Sequence, residues 1–97
     1  GIVAGPALAQ DACPWAGGDY AFSDHGIYGD FTVDAACKEM EWSRLSDGPE
    51  SSTLERTKDG WAGALETANF VLTEDGRHVL IQDPGGPQRR SVVKRKN

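Results

Sequence analysis

The chain contains few of the residues from which metal sites and thiol centres are built. Its 97 residues include two cysteines, Cys13 and Cys37, and two histidines, His25 and His78. The cysteines form no Cys-x-x-Cys motif and the histidines lie far apart in the sequence, whereas zinc sites and redox thiol pairs use clustered ligands. We therefore expect no metal site and no cofactor.

Motifs for covalent catalysis and for phosphate binding are also missing. The sequence has no Gly-x-Ser-x-Gly motif, and neither Gly17-Gly18 nor Gly85-Gly86 is followed by a helical pattern with a lysine. A nucleophile elbow and a phosphate-binding loop each require one of these arrangements. The protein is therefore not expected to be an enzyme.

His25 is the strongest candidate for acid–base or metal chemistry, because Asp24 precedes it and Asp30 and Asp34 lie nearby in the sequence. A carboxylate can orient a histidine for proton transfer. The alternative is an exposed histidine in the turn-like tetrapeptide 23–26, and this is the interpretation that we favour. The acidic positions also miss the spacing of a calcium loop.

Long hydrophobic runs are missing, and the most apolar segment is the N-terminal decapeptide 1–10. It is shorter than the ~20 residues that span a bilayer, so no transmembrane segment is expected. The tripeptide Ala7-Leu8-Ala9 fits the A-x-A rule for cleavage of a secretory signal. We interpret residues 1–9 as the end of a secretion signal, with an apolar N-terminal strand as the alternative, and predict export to the periplasm or the extracellular space.

An exported chain with two cysteines is expected to form a disulfide between them. A bond between Cys13 and Cys37 closes a loop of about 25 residues, which stabilises the fold by about 3.5 kcal/mol in the chain-entropy estimate. Two free thiols are the alternative. Residues 10–93 are predicted to form a single small β domain, for which a covalent link is useful because small domains bury little surface.

Charge is distributed unevenly along the chain, whose net charge is −5. Residues 1–88 contain all 15 acidic residues and five of the ten basic ones, and residues 89–97 contain the other five. An acidic body disfavours nucleic acid and anionic membranes, so we expect no nucleic-acid partner, and a basic protein partner would suit it. We predict a last strand at 88–93 and a solvated basic tail at 94–97, with a docking arm for an acidic partner as the alternative.

Turn sequences divide the rest of the chain into short segments. Asp and Gly occur together at 46–49, 58–60, 74–76 and 83–87, as is typical of tight turns. The runs between them alternate apolar with polar side chains, as half-buried strands do. We therefore predict an all-β fold: a small antiparallel meander of seven or eight short strands that closes into a barrel or a sandwich, with one disulfide.

The segment 34–45 fits both a strand and a helix. Asp34 is a good helix N-cap and the composition favours a helix. A helical face would, however, group Met40 with Arg44 and leave Trp42 outside it. In a strand, Met40 and Trp42 share one face, so we favour a strand.

Aromatic residues provide both the predicted core and a candidate binding patch. Trp15 and Tyr28 lie in loop-like sequence, and with His25 they form the candidate patch, because aromatic residues on loops are typical interface anchors. The other interpretation, which we favour, is that Trp15 and Tyr28 cover an open end of the barrel. The strongest core candidates are Phe31, Trp42 and Phe70.

The leading hypothesis is a small exported binding module that recognises another macromolecule, and one form of it is an inhibitor of a secreted or cell-wall hydrolase. In size, export, single disulfide and number of short strands, the chain resembles the small periplasmic β-barrel inhibitors of secreted metalloproteases and of lysozyme. The resemblance is one of architecture, since the serine- and glycine-bearing loop of the lysozyme inhibitors is not recognisable here. The alternatives are a carrier of a small ligand inside the barrel and a structural component of the envelope.

Overall fold

A computed structural model of the protein describes residues 13–24, 27–44, 49–66 and 68–97. The predicted secretion signal at 1–9 lies outside these residues. Within them, no helix is long and apolar enough to cross a membrane.

The described chain forms nine strands, and every pair of neighbouring strands in the sheet is antiparallel. They are β1 (Asp19–Asp24), β2 (Ile27–Val33), β3 (Glu39–Arg44), β4 (Glu50–Thr53), β5 (Glu55–Thr57), β6 (Gly60–Ala64), β7 (Asn69–Thr73), β8 (His78–Gln82) and β9 (Gln88–Arg95). The turn sequence at 58–60 joins β5 to β6, and the one at 74–76 joins β7 to β8, so both predicted hairpins are present.

One bent stretch of chain, 50–57, closes the sheet into a barrel. Its first half, β4, pairs with β3, and its second half, β5, pairs with β6. The bend falls at Leu54, whose backbone N–H donates to the carbonyl oxygen of Lys38 at 2.7 Å. Because β9 also pairs with β1, the nine strands make one nearly closed, barrel-shaped sheet.

Where β4 faces β6, side-chain oxygens link the two strands. Ser52 Oγ accepts a hydrogen bond from the Ala64 N–H at 3.0 Å, and Glu50 Oε1 accepts one from the Glu66 N–H at 2.9 Å. We call this junction the seam. The predicted meander is confirmed as a barrel, with nine strands instead of seven or eight because the bend divides 50–57 into two.

Inward-facing side chains fill the barrel interior. The predicted core residues Phe31, Trp42 and Phe70 are all buried, and none is more than 5% exposed. Rings pack against each other in the interior. The centroids of Tyr20 and Phe31, on the neighbouring strands β1 and β2, lie 5.0 Å apart, and those of Phe22 in β1 and Trp42 in β3 lie 4.4 Å apart across β2. Such contacts add to the large apolar area that each ring buries. The other buried hydrophobic residues are Trp15, Val33, Cys37, Met40, Trp61, Ala68, Leu72, Val79, Ile81 and Val93.

Trp15 closes the end of the barrel at which β1 begins. Its indole is fully buried, its Nε1–H donates to the carbonyl oxygen of Thr73 at 2.8 Å, and its ring contacts those of Tyr20 and Phe31. The Tyr20 hydroxyl donates to the Trp15 carbonyl oxygen at 2.8 Å, and burial raises the pKa of that hydroxyl. The polar groups of this cluster are therefore paired, as buried donors need to be.

The predicted disulfide between Cys13 and Cys37 is present. It joins the turn that carries Trp15 to the loop of the β2–β3 hairpin, and it indicates an oxidising, exported environment. The ambiguous segment 34–45 is strand at 39–44, as favoured from the sequence. Residues 34–38 form the hairpin loop, in which Cys37 adopts a left-handed φ of 56°.

The C-terminal residues correct the prediction of a solvated tail at 94–97. Strand β9 continues to Arg95, and the Lys96 N–H donates to the carbonyl oxygen of Asp19 at 2.7 Å. Lys96 Nζ also lies 3.6 Å from Asp19 Oδ1 and 3.4 Å from Asp30 Oδ1. The tail therefore lies on the barrel: β9 pairs with β1, and Lys96 faces carboxylates of β1 and β2.

Candidate functional site

The structure places one member of the predicted binding patch in the core. Trp15 is fully buried and covers an end of the barrel, so its side chain offers no surface to a partner. Tyr28 lies in β2, where its backbone pairs with that of Ser23. The Tyr28 side chain and His25 lie outside the described residues. The sequence around Trp15 forms a tight turn, and the indole covers the barrel end as the favoured interpretation of the sequence expected.

A groove of about 180 Å³ lies on the outer face of β2, β3 and β4. Thr32 pairs with Glu41 and Glu41 pairs with Ser51, so these three side chains form one row across the strands. Val33 and Met40, which are buried in the barrel core, also line the groove. The remaining lining residues are Thr32, Asp34, Glu39, Glu41 and Ser51. We call this site the acidic groove.

Strand alternation directs the carboxylates of the groove outward. Glu39 and Glu41 alternate along β3 with Met40 and Trp42, which are buried in the barrel. Successive side chains of a strand point to opposite faces, so burying the two apolar residues exposes the two glutamates. The groove therefore follows from the same pattern that builds the core.

Asp34 is fixed at the end of the groove by the β2–β3 hairpin loop. Its Oδ1 accepts hydrogen bonds from the backbone N–H of Lys38 at 2.7 Å and of Glu39 at 3.1 Å. These backbone hydrogen bonds lower the pKa of the Asp34 carboxyl, because they stabilise its charged form. Asp34 is therefore an oriented anion at neutral pH.

The three carboxylates of the groove, those of Asp34, Glu39 and Glu41, form no ion pair with any described residue. Many carboxylates elsewhere on the barrel have a basic neighbour. Among the described residues the ion pairs are Arg56–Glu74, Arg90–Asp75, Arg89–Asp83, Lys96–Asp19 and Lys96–Asp30, and His78 lies against Asp75. The groove thus concentrates uncompensated negative charge, which attracts cations.

The spacing of the groove oxygens suits several separate hydrogen-bond donors. In the part of the chain that the structure describes, no three His, Cys, Asp or Glu side chains are grouped so that they could hold a metal ion. Carboxylates spread along a face can each accept from a different ammonium or guanidinium group. The hydroxyls of Thr32 and Ser51 add two more polar contacts beside them.

A second polar cluster surrounds Asp75 in the β7–β8 turn. Asp75 Oδ2 lies 2.7 Å from His78 Nδ1 and 3.7 Å from an Arg90 nitrogen, and Thr73 Oγ1 donates to Asp75 Oδ1. The hydrogen bond from the Thr73 hydroxyl is the largest of the effects that hold the pKa of the Asp75 carboxyl well below its usual range. The Arg77 N–H and His78 lower this pKa further. This pair was not among the residues predicted from the sequence, where His25 stood out because of its neighbouring acids, although Asp75 precedes His78 by only three positions.

No protein-family model, no curated protein and no solved structure matches this chain.

Proposed function

We propose that the chain is a small exported binding module that recognises a basic protein through the acidic groove. The observation that carries this proposal is the groove itself, in which two hydroxyls and three carboxylates without an ion pair to any described residue line one cleft on the outer face. The partner class that we propose is a secreted or cell-wall hydrolase with a basic surface, which the module inhibits. The protein acts in the periplasm or the extracellular space, where its disulfide is stable.

The filled interior favours recognition on the outside of the barrel. Trp15, Phe31 and Leu72 are at most 1% exposed, and aromatic rings occupy the centre between the strands. A carrier needs a cavity for its ligand, typically ~300 Å³ or more. The packed core therefore counts against the alternative of a ligand carrier, and the outer face is the better place for a partner.

The structure also supports a rigid groove. The disulfide holds the loop at Cys37, the loop donates two backbone N–H groups to Asp34, and β3 and β4 hold the other oxygens in register. A site that is ordered before binding loses less conformational entropy when the partner arrives. Its charge should mainly accelerate association, and this effect weakens as salt is added.

Binding to a panel of basic lysozymes and secreted proteases tests the proposal. Purified protein would be titrated by biolayer interferometry at low and at high ionic strength, with the activity of each hydrolase measured in parallel. We expect saturable, salt-sensitive binding to at least one hydrolase and loss of its activity. Absence of binding to every hydrolase at low ionic strength would refute the proposal.

A charge-matched pair of variants assigns the binding to the groove. The double variant Glu39→Gln/Glu41→Gln removes two groove carboxylates, and Glu55→Gln/Asp59→Asn removes two exposed carboxylates outside both clefts. Both change the net charge equally. We expect the first to weaken binding by about tenfold or more and the second to change it little. Equal weakening by both would mean that only the overall charge of the protein matters.

A further inference from the structure

A second cleft, of about 320 Å³, lies at the end of the barrel away from the disulfide. It opens between the β6–β7 connection and the β8–β9 connection, above the last register pair of β7 and β8, Asn69 with Gln82. Its lining residues are Leu65, Glu66, Ala68, Asn69, Gln82, Asp83, Pro84 and Gly85. We call it the loop cleft, and it shares no residue with the acidic groove.

Hydrogen bonds fix both walls of the loop cleft. On one side, the Leu65 N–H donates to the Ala68 carbonyl oxygen at 2.8 Å, and the Glu66 N–H donates to Glu50 Oε1 at 2.9 Å. On the other side, Gln82 Nε2 donates to the Gly86 carbonyl oxygen. Asp83 pairs there with Arg89. The cleft therefore exists before any ligand binds.

The polar groups that face the loop cleft mainly accept hydrogen bonds. The Glu66 carboxylate is exposed and forms no ion pair with a described residue. Gln82 uses its Nε2 for backbone carbonyls, which leaves its Oε1 as an acceptor, and Asn69 adds an exposed amide. None of the lining residues carries a positive charge.

Apolar groups line the rest of the loop cleft. Ala68 is buried and Leu65 packs against the core, and the Pro84 ring lies on the opposite connection. An apolar base under an acceptor-rich rim matches a ligand with an aliphatic stem and a donor-rich cationic head. An anion would meet the carboxylate of Glu66, and a neutral alcohol would leave this carboxylate without a counter-charge. The carboxylate of Asp83 is already paired with Arg89.

We infer that the loop cleft binds an alkylguanidinium or alkylammonium group, with Glu66 as the residue that pairs with the cationic head. The group belongs either to a free organic cation or to an arginine or lysine side chain. This site is independent of the proposed recognition of a hydrolase by the acidic groove, so either can exist without the other.

Amide chemical shifts of the full chain test the inference. The protein would be titrated with butylguanidinium, with butylammonium, and with butyrate and 1-butanol as anionic and neutral probes of similar length. We expect saturable shifts of the amides of Glu66, Asn69, Gln82, Asp83 and Gly85 with the two cations, with millimolar dissociation constants as for small fragments. Absence of saturation by both cations at about 50 mM, or equally tight binding of 1-butanol, would overturn the inference.

Variants identify the pairing residue. Glu66→Gln should weaken binding of butylguanidinium by about tenfold, and Asn69→Asp should strengthen it by adding a carboxylate to the rim. The groove variant Glu39→Gln/Glu41→Gln should leave it unchanged, which separates the two sites. Unchanged affinity in Glu66→Gln would contradict the assignment.

A capped Gly-Arg-Gly tripeptide distinguishes the two sources of the cationic group. If the tripeptide binds at least as tightly as butylguanidinium, the cleft accepts a basic side chain of a protein. If the tripeptide does not bind while butylguanidinium does, the ligand is a free organic cation. Both results agree with the inference.

Discussion

The backbone N–H of Cys37 donates to the carbonyl oxygen of Asp34 at 3.0 Å, and thereby ties the disulfide to the loop that orients a groove carboxylate. Cys37 is the one described residue other than glycine with a positive φ. A residue with a side chain keeps a positive φ only where the surrounding structure fixes its backbone. The disulfide therefore stabilises both the fold and the acidic groove.

Removing the disulfide should lower stability and weaken binding at the groove. For Cys13→Ser/Cys37→Ser we expect the free energy of unfolding to fall by about 2–4 kcal/mol, as measured by urea denaturation. Affinity for a groove partner should fall even where the variant is fully folded, because the loop at Asp34 loses its anchor. Butylguanidinium binding in the loop cleft is the control and should persist. Unchanged stability would contradict the structural role of the bond.

Two tryptophan substitutions should differ in their cost because of one hydrogen bond. Trp15→Phe removes the donor to the Thr73 carbonyl oxygen, whereas Trp42 Nε1 is buried without a hydrogen-bond partner among the described residues. Both substitutions remove similar volume from the core. We expect Trp15→Phe to be the more destabilising by roughly 1–2 kcal/mol, as measured by thermal and urea unfolding. A larger loss for Trp42→Phe would show that its indole nitrogen is paired in solution.

Acid should destabilise the fold in part through Asp75. The pKa of its carboxyl is lowered in the folded protein, so its contribution to stability is present above the unfolded pKa, about 3.9, and is lost as the pH falls through the lower folded value. We expect the free energy of unfolding of Asp75→Asn to fall less between pH 7 and pH 2 than that of the native protein. Asp59→Asn, at an exposed turn position without an ion pair among the described residues, serves as the control and should keep the native pH dependence.

Gly60 should tolerate no side chain. Its φ is 150°, and a Cβ at this position would lie 2.0 Å from the carbonyl oxygen of Leu72. We expect Gly60→Ala to destabilise the protein by roughly 2 kcal/mol or more, since backbone has to move. Gly85, with φ of 73° and open space around it, is the comparison, and its substitution by Ala should cost only about 1 kcal/mol for the left-handed conformation. Equal losses of unfolding free energy would mean that φ alone matters.

Local patterns predicted the hairpins and the core because both depend on neighbouring residues. The Asp-Gly turn at 74–76 and the alternation along β7 and β8 are visible in the sequence, and so is the outward direction of Glu39 and Glu41. The bend at Leu54 was not visible, since it depends on the distant carbonyl of Lys38.

The sites were harder to predict because they depend on register between strands. Thr32, Glu41 and Ser51 meet only after β2, β3 and β4 have paired. Trp15 becomes buried only when the barrel offers the Thr73 carbonyl oxygen at its open end. Tertiary contacts of this kind leave no periodic signal in the sequence.

The seam gives the barrel a preferred place to open. At the seam, two side-chain oxygens of β4 accept hydrogen bonds in place of the backbone hydrogen-bond ladder that joins other neighbouring strands. Strand β4 also carries Ser51 of the groove. A molecule that bridges β2, β3 and β4 would clamp the strand most ready to detach. Binding of a partner in the groove would then slow hydrogen exchange along β4 and raise the melting temperature, so that the partner would also stabilise the fold.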